Sequence, residues 1–238
     1  LTNRIISGSG ANVTFGNSTT LRQVKSTDLT DANYKNDANR GYLISLLGYN
    51  VDSKNPSAIN LTTAAELRQI GAVMHSSPML LTNKGTITYE NNVLGSKDRE
   101  DYVMFGTTQG LLHIVDAKTG VEKFSFLPKE MAEKQYELFK NNAGTWNNGK
   151  DALYYGVDGE WAAHTVYVSK NDGTLTVDGV VRNVAGGSAT EKENLQGKQW
   201  VYGGLRMGGR SYYALDLTGL DDTNAYMPKI KFQIDPST

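Results

Sequence analysis

Apolar residues along this chain come in short runs, and most are spaced for strands. "DYVMFGT", from Asp101 to Thr107, is followed by Leu111 to Asp116 and then by Val121 to Phe126, with Gly110 and an Ala-Lys-Thr-Gly turn between them. Short runs of this kind, bounded by glycine and polar clusters, predict antiparallel strands joined by tight turns. The same pattern predicts strands at Val13–Phe15, Leu153–Val157, His164–Ser169, Thr174–Val177, Val180–Val184, Gln199–Gly203, Ser211–Leu217 and Lys229–Ile234. It also predicts a hairpin over Thr86–Asn92, and an apolar strand from Gly71 that Pro78 restricts to a sheet edge or a bulge.

Helical spacing occurs in two places. Leu43, Leu46 and Leu47 share a face ahead of Gly48, a suitable C-terminal cap, so a helix is expected near 40–48. In "PKEMAEKQYELFKNN", Met131, Gln135 and Leu138 adjoin a stripe of Ala132, Tyr136 and Phe139, with Pro128 at a favoured first position. The segments 83–99 and 185–198 are polar and read as variable loops, where recognition residues are expected.

One unit occurs twice. "VMFGTTQGLLHIVDAKTG" and "VYGGLRMGGRSYYALDLTG" share an apolar strand, a glycine turn, a second apolar strand, an aspartate and a Thr-Gly. Inside them "LLHIV" and "YYAL" are apolar at successive positions, which predicts burial on both faces. Asp116 and Asp216 are expected to accept backbone hydrogen bonds and set the turn to the next strand. Repeated small antiparallel sheets point to an all-β fold of β-propeller type, with a β-sandwich as the alternative.

Composition narrows the functions. Lys and Arg total 24 against 25 Asp and Glu, so the net charge is −1 and the basic footprint of a nucleic-acid binder is missing. There is no cysteine, which removes disulfides, thiolate metal sites and cysteine nucleophiles. No apolar run reaches the roughly 18 residues of a membrane span. The opening "LTNRIISGSG" has no signal-peptide pattern, so an export signal is expected upstream of Leu1.

Candidate chemistry is sparse. His75, His113 and His164 are far apart in sequence and read as satisfied core histidines rather than metal ligands. "KNDGTLTVDG" offers Asn171, Asp172 and Asp178, but Leu175 and Val177 interrupt a calcium-loop spacing, and the Asn-Asp-Gly reads as a hairpin turn. "GGLRMGGR" leads into a strand instead of a helix, so it reads as a wide turn and not a phosphate cradle. Asp158 and Glu160 read as turn residues, and the Asn-x-Thr matches at Asn12, Asn17 and Asn60 as chance. No catalytic, cofactor-binding or metal-binding residue is assigned.

Four separated motifs carry a resemblance. They are Ser76-Ser77-Pro78; Gly110, Leu111, Leu112 and His113; Tyr155, Val157, Asp158 and Gly159; and Trp200 with Gly208, Gly209, Ala214, Leu215, Asp216 and Thr218. In this order the chain resembles the C-terminal β-propeller domain of the PilC/PilY family, proteins associated with type IV pilus tips in Gram-negative bacteria. The resemblance implies quinoprotein-like blades over 71–238, incomplete in this chain, with a few inserted short helices and a lead-in segment over 1–70 packed on them. It implies a non-enzymatic adhesin and fimbrium biogenesis factor at the cell surface or pilus tip, outer-membrane associated. Its expected partners are minor pilins and a host-cell or abiotic surface, and its expected roles are pilus extension, twitching motility and adhesion. The family has Asn-Asp-Gly where this chain has "TQG" at 108–110, and its calcium loop is expected beyond Thr238. Calcium is therefore expected only in a further C-terminal part, and no cofactor is expected within this chain. A quinoprotein-like dehydrogenase, whose blades share the Ala-x-Asp-x-x-Thr-Gly grammar, and a generic propeller interaction module are the alternatives.

Overall fold

The computed structural model describes residues 4–7, 21–23, 41, 44, 49–52, 55–60, 63–66, 70–134, 155–220 and 228–235. Among them the chain is almost entirely β. A lead-in part supplies β1 (Arg4–Ser7), β2 (Leu21–Gln23), β3 (Tyr49–Asn50) and β4 (Ala65–Glu66). β5 (Met79–Glu90), β6 (Val93–Gly106), β7 (Leu112–Asp116) and β8 (Glu122–Leu127) then run as an antiparallel meander. β1 joins this meander in parallel beside β8 and carries β2 on its far side.

The second half repeats the arrangement. β9 (Trp161–Val166), β14 (Lys198–Gly204), β15 (Tyr212–Asp216) and β16 (Lys229–Ile234) form a four-stranded antiparallel sheet in the order β16-β15-β14-β9. Two hairpin arms lie between its first two strands. β10 (Val168–Ser169) and β11 (Thr174–Thr176) return to pair with β5, while β12 (Val180–Asn183) and β13 (Lys192–Leu195) pair with each other. We refer to β5–β8 as the first unit and to the sheet of β9 and β14–β16 as the second.

The successive apolar residues are buried on both faces, as their spacing requires. Leu112, His113 and Ile114 in β7 and Tyr213, Ala214 and Leu215 in β15 are all buried. One core joins the units: Tyr102, Met104, Ile114, Phe124 and Phe126 from the first meet Val201, Tyr213 and Leu215 from the second. Phe126 and Tyr213 meet edge to face at 5.4 Å between ring centres, a favoured aromatic geometry. A polar joint runs through the same interface. Asn83 donates to the Leu220 carbonyl at 2.9 Å and accepts from Gln199 at 3.0 Å, and Thr165 donates to the other end of the Gln199 amide at 2.5 Å.

The two aspartate turns form as expected. Asp116 Oδ1 accepts the Lys118 and Thr119 amides at 3.1 and 2.6 Å and the Thr119 hydroxyl at 2.6 Å. Asp216 Oδ1 accepts the Thr218 amide at 3.0 Å, and the Thr218 hydroxyl accepts the Gln199 amide at 3.0 Å. The Asn171-Asp172-Gly173 segment is a hairpin turn, with Gly173 at φ +82 and Asp172 accepting the Thr174 amide at 2.9 Å.

Four expectations are corrected. The segment 83–99 is no loop: it is the outer half of β5 and β6, a two-stranded ribbon closed by Asn91 and Asn92. Both asparagines take left-handed φ (52° and 63°), as a two-residue hairpin turn demands. The segment 185–198 contains β13 and the start of β14, since Lys192–Leu195 pairs back onto Val180–Asn183. The described part of Leu153–Val157, namely Tyr155 to Val157, is irregular, and the apolar strand expected from Gly71 begins only at Met79, after Pro78. In both segments the polar neighbours bond elsewhere: Ser76 accepts the Gly106 amide at 2.8 Å, and the Val157 amide donates to the Thr107 carbonyl at 3.0 Å.

The amphipathic helix near 128–142 is present in its first part as α1 (Lys129–Lys134), which buries Glu130 and Met131; the rest lies outside the described residues. The strand expected at Val13–Phe15 also lies outside them. Of the helix expected near 40–48, Gly41 and Ile44 are described, both helical, and Ile44 is fully buried in the core. No helix among the described residues is long and apolar enough to cross a membrane.

Candidate functional site

Three of the sequence motifs meet at one place. A cavity of about 1020 Å³ opens between the segment that leads into β5 and the β14–β15 turn, lined by Val73–Pro78, by Gly159 and Glu160, and by residues of the turn from Gly204 to Tyr212. Its walls are the Ser-Ser-Pro segment, the Val-Asp-Gly-Glu segment and the glycine-rich turn.

Close backbone approach explains why these segments carry glycine. A Cβ on Gly208 would lie 1.7 Å from the Gly156 carbonyl oxygen, and one on Gly106 would lie 2.1 Å from the Val157 carbonyl oxygen. Only hydrogen fits between these backbones. The Tyr155–Gly159 segment is thus wedged between the β6–β7 turn and the β14–β15 turn, and it places Asp158 behind the cavity wall, in contact with the lining residues His75 and Arg206.

Asp158 is the centre of the site. Its side chain is 1% exposed and holds two partly exposed partners, His75 at 45% and Arg206 at 52%. His75 Nδ1 donates to Asp158 Oδ1 at 2.8 Å and lies 3.0 Å from Oδ2, so Nδ1 carries a proton and Nε2 stays outside this pairing. Arg206 Nη1 donates to Oδ2 at 3.4 Å. A buried carboxylate needs such donors, because an unpaired buried charge is strongly disfavoured. Beside it, the Ser77 hydroxyl donates to Glu160 Oε1 at 3.2 Å.

The turn that supplies Arg206 is fixed from α1. Glu130, buried in α1, accepts the Arg210 and Ser211 amides through Oε2 at 3.0 and 2.9 Å. Tyr213 packs next to it, and burial pushes its phenol up to about 12. Arg206 itself has φ +50. Among the described residues the other non-glycine positions with positive φ are Asn91, Asn92 and Asp98, residue types that tolerate this region; an arginine there holds backbone strain.

The histidines divide. His113 is buried and satisfied, as expected: Nε2 lies 3.2 Å from the Thr107 hydroxyl and Nδ1 2.7 Å from Glu122 Oε1. His75 and His164 are exposed, so the core reading fails for both. His164 lies beside Trp200, 5.9 Å between ring centres. Among the described residues there is no group of three or more His, Cys, Asp or Glu able to hold a metal ion.

Sequence reasoning missed the Asp158–His75–Arg206 cluster. His75 and Asp158 are 83 residues apart, and neither has a distinctive local spacing. The usable signal was that Ser76-Ser77-Pro78 and Val157-Asp158-Gly159 are both polar, glycine- or proline-marked interruptions beside strands.

No family model matches the chain. Among characterised proteins it is similar to the type IV pilus biogenesis factor PilY1 of Pseudomonas aeruginosa (strain UCBPP-PA14), at 27% identity over 180 residues. The similarity covers 71% of this chain and 12% of that protein, so the chain spans about an eighth of the relative's length. No solved structure matches. The similarity is distant and indicates a PilY1-related protein.

Proposed function

We propose that this chain is part of a β-propeller in a non-enzymatic, type IV pilus-associated protein of the cell surface, which supports pilus biogenesis and adhesion by binding minor pilins and surfaces. The similarity to a type IV pilus biogenesis factor over 71% of the chain is the observation that carries the reading. The fold agrees with it. Two four-stranded antiparallel meanders, one with an Asp-Ala-Lys-Thr-Gly turn and one with an Asp-Leu-Thr-Gly turn, stack face to face through one core, the packing from which a propeller is built. Such a stack is a rigid platform that presents turns and hairpin arms for binding.

The test is capture of this chain with its bound proteins from cells whose pili have been released by shearing, scored by mass spectrometry. Recovery of minor pilins supports the reading; a clean miss with folded protein overturns it. A quinone-dependent reductase or dehydrogenase activity in the purified protein would replace it with the quinoprotein alternative.

A further inference from the structure

We infer that the cleft between the segment leading into β5 and the β14–β15 turn is a peptide-binding site for an acidic side chain flanked by apolar residues, with Arg206 and Arg210 receiving the carboxylate. This deepens the reading above, and rests on it only in taking the cleft to bind rather than to catalyse.

The charge at the cleft is arranged in two layers. Asp158 is buried beneath the exposed His75 and Arg206, so it holds both side chains from below without occupying the surface. Its contact with Arg206 uses one nitrogen at 3.4 Å, and a guanidinium has five N–H donors, so most of that fork is left for a ligand. Arg210 also lines the cavity; its backbone amide is held by Glu130, while its guanidinium has no partner among the described residues. The carboxylate in the lining, Glu160, accepts the Ser77 hydroxyl. A forked donor pair suits a carboxylate, which takes parallel charge-assisted hydrogen bonds.

The strain at Arg206 points the same way. Glycine would hold φ +50 without cost, yet the position carries an arginine whose contribution to folding is one long, half-exposed contact. Strain held at a cavity wall by a charged, exposed side chain marks a functional position.

The rim decides the class of ligand. Val73 and Met74 are exposed, and Tyr212 stands half-exposed opposite them. Aliphatic and thioether surfaces take up apolar side chains. The backbone groups of Val73, Met74 and Ser77 make no hydrogen bond among the described residues, leaving donors and acceptors for an incoming main chain. A sugar acid would use the arginines but has no match for the Val73–Met74 wall.

The test is an amide-resonance titration of the 238-residue chain with the blocked tripeptide acetyl-Leu-Glu-Phe-amide and its Gln counterpart. The Glu peptide should shift the amides of Val73–Ser77, Gly159 and Gly204–Tyr212, and the Gln peptide should bind about tenfold more weakly, the loss of one charge-assisted pairing. Arg206→Gly, which relieves the φ +50 strain, removes one donor to Asp158 and leaves His75 as the other, should weaken the Glu peptide about tenfold while changing the melting temperature little. A merely structural Arg206 would not separate the two readouts. Arg210→Gln, at an exposed position, serves as the second variant, and Tyr89→Ser on the ribbon should change nothing. Equal binding of the two peptides, shifts confined to other surfaces, no binding, or cleft binding by sialyllactose without the peptide would each overturn the inference. Failure to capture pilins would not alter this result, so the two readings fail separately.

Discussion

The two units have the same grammar and opposite fates on one face. Tyr102, Met104, Leu112, Ile114, Phe124 and Phe126 lie on a single face of the first unit, and all are buried against the second. The corresponding positions of the second unit, read from the aligned Asp116 and Asp216, are Trp200, Tyr202, Tyr212, Ala214, Phe232 and Ile234. Here Tyr212 is 45%, Phe232 41% and Ile234 56% exposed. The lysine stacking is repeated too: Lys123 Nζ lies 6.0 Å from the Tyr102 ring centre and Lys231 Nζ 4.4 Å from that of Trp200. The units therefore stack head to tail: the face of the first that the second covers has its counterpart on the second left open. Sequence similarity between repeats thus fixes the strands and turns, while burial depends on what comes next.

The largest effect should separate the equivalent aromatic residues. Tyr102→Ala should cost about 3–5 kcal/mol, as deletion of a large core side chain does, whereas Trp200→Ala should cost well under half of that. Denaturant unfolding of both variants measures the difference, and equal costs would show that the second face is covered.

Next comes Tyr213, the aromatic residue by which the second unit meets Phe126. Its phenol is raised from 10 to about 12, so the folded state keeps a proton that the unfolded state gives up. That favours the fold below pH 10 and is lost as pH rises from 10 towards 12, a decline of about 2–3 kcal/mol by linkage. Tyr213→Phe should lose this part of the alkaline decline; an unchanged pH profile would argue against a buried phenol.

The smallest effect should distinguish the turns. Asp116 is buried and accepts three bonds from Lys118 and Thr119, while Asp216 is more exposed. Asp116→Ala should lower stability by about 1–2 kcal/mol and Asp216→Ala by less, measured by thermal unfolding. The reverse order would mean that the second turn is the more constrained.

Much of this was legible from local chemistry. The Asp-to-Gly turns, the double-sided burial of "LLHIV" and "YYAL", and the Asn171-Asp172-Gly173 hairpin depend on neighbours within a few residues. The repeat also extends further than the Thr-Gly, into Lys123-Phe124 and Lys231-Phe232 of the last strands, a match obscured by the intervening length. The hairpin expected over Thr86–Asn92 is the tip of the ribbon, but its full extent from Lys84 to Arg99 reads as a loop because glycine, asparagine and the charged Lys97-Asp98-Arg99 interrupt the apolar alternation on which strand reading relies. The cleft was missed because its three walls come from distant parts of the chain. Burial of Asp158 follows from the wedge of Tyr155–Gly159 between two turns, and no local pattern encodes that.

The ribbon has a mechanical meaning. β5 and β6 extend beyond the sheet body, and register shifts between Thr82 and Thr86 mark where they leave it. At that base Arg99 grips Asp101 through two nitrogens at 2.8 and 3.0 Å and Thr82 at 3.0 Å, while Asn83 reaches across to Gln199 and Leu220. Lys84–Thr86 also pairs with β11, so with about 3.3 Å of rise per residue the part beyond it, Ile87–Glu90, makes a lever of roughly 13 Å. A sideways pull on its tip is resisted at a fulcrum anchored in both units, so the load spreads through the stack instead of peeling one strand from its neighbour.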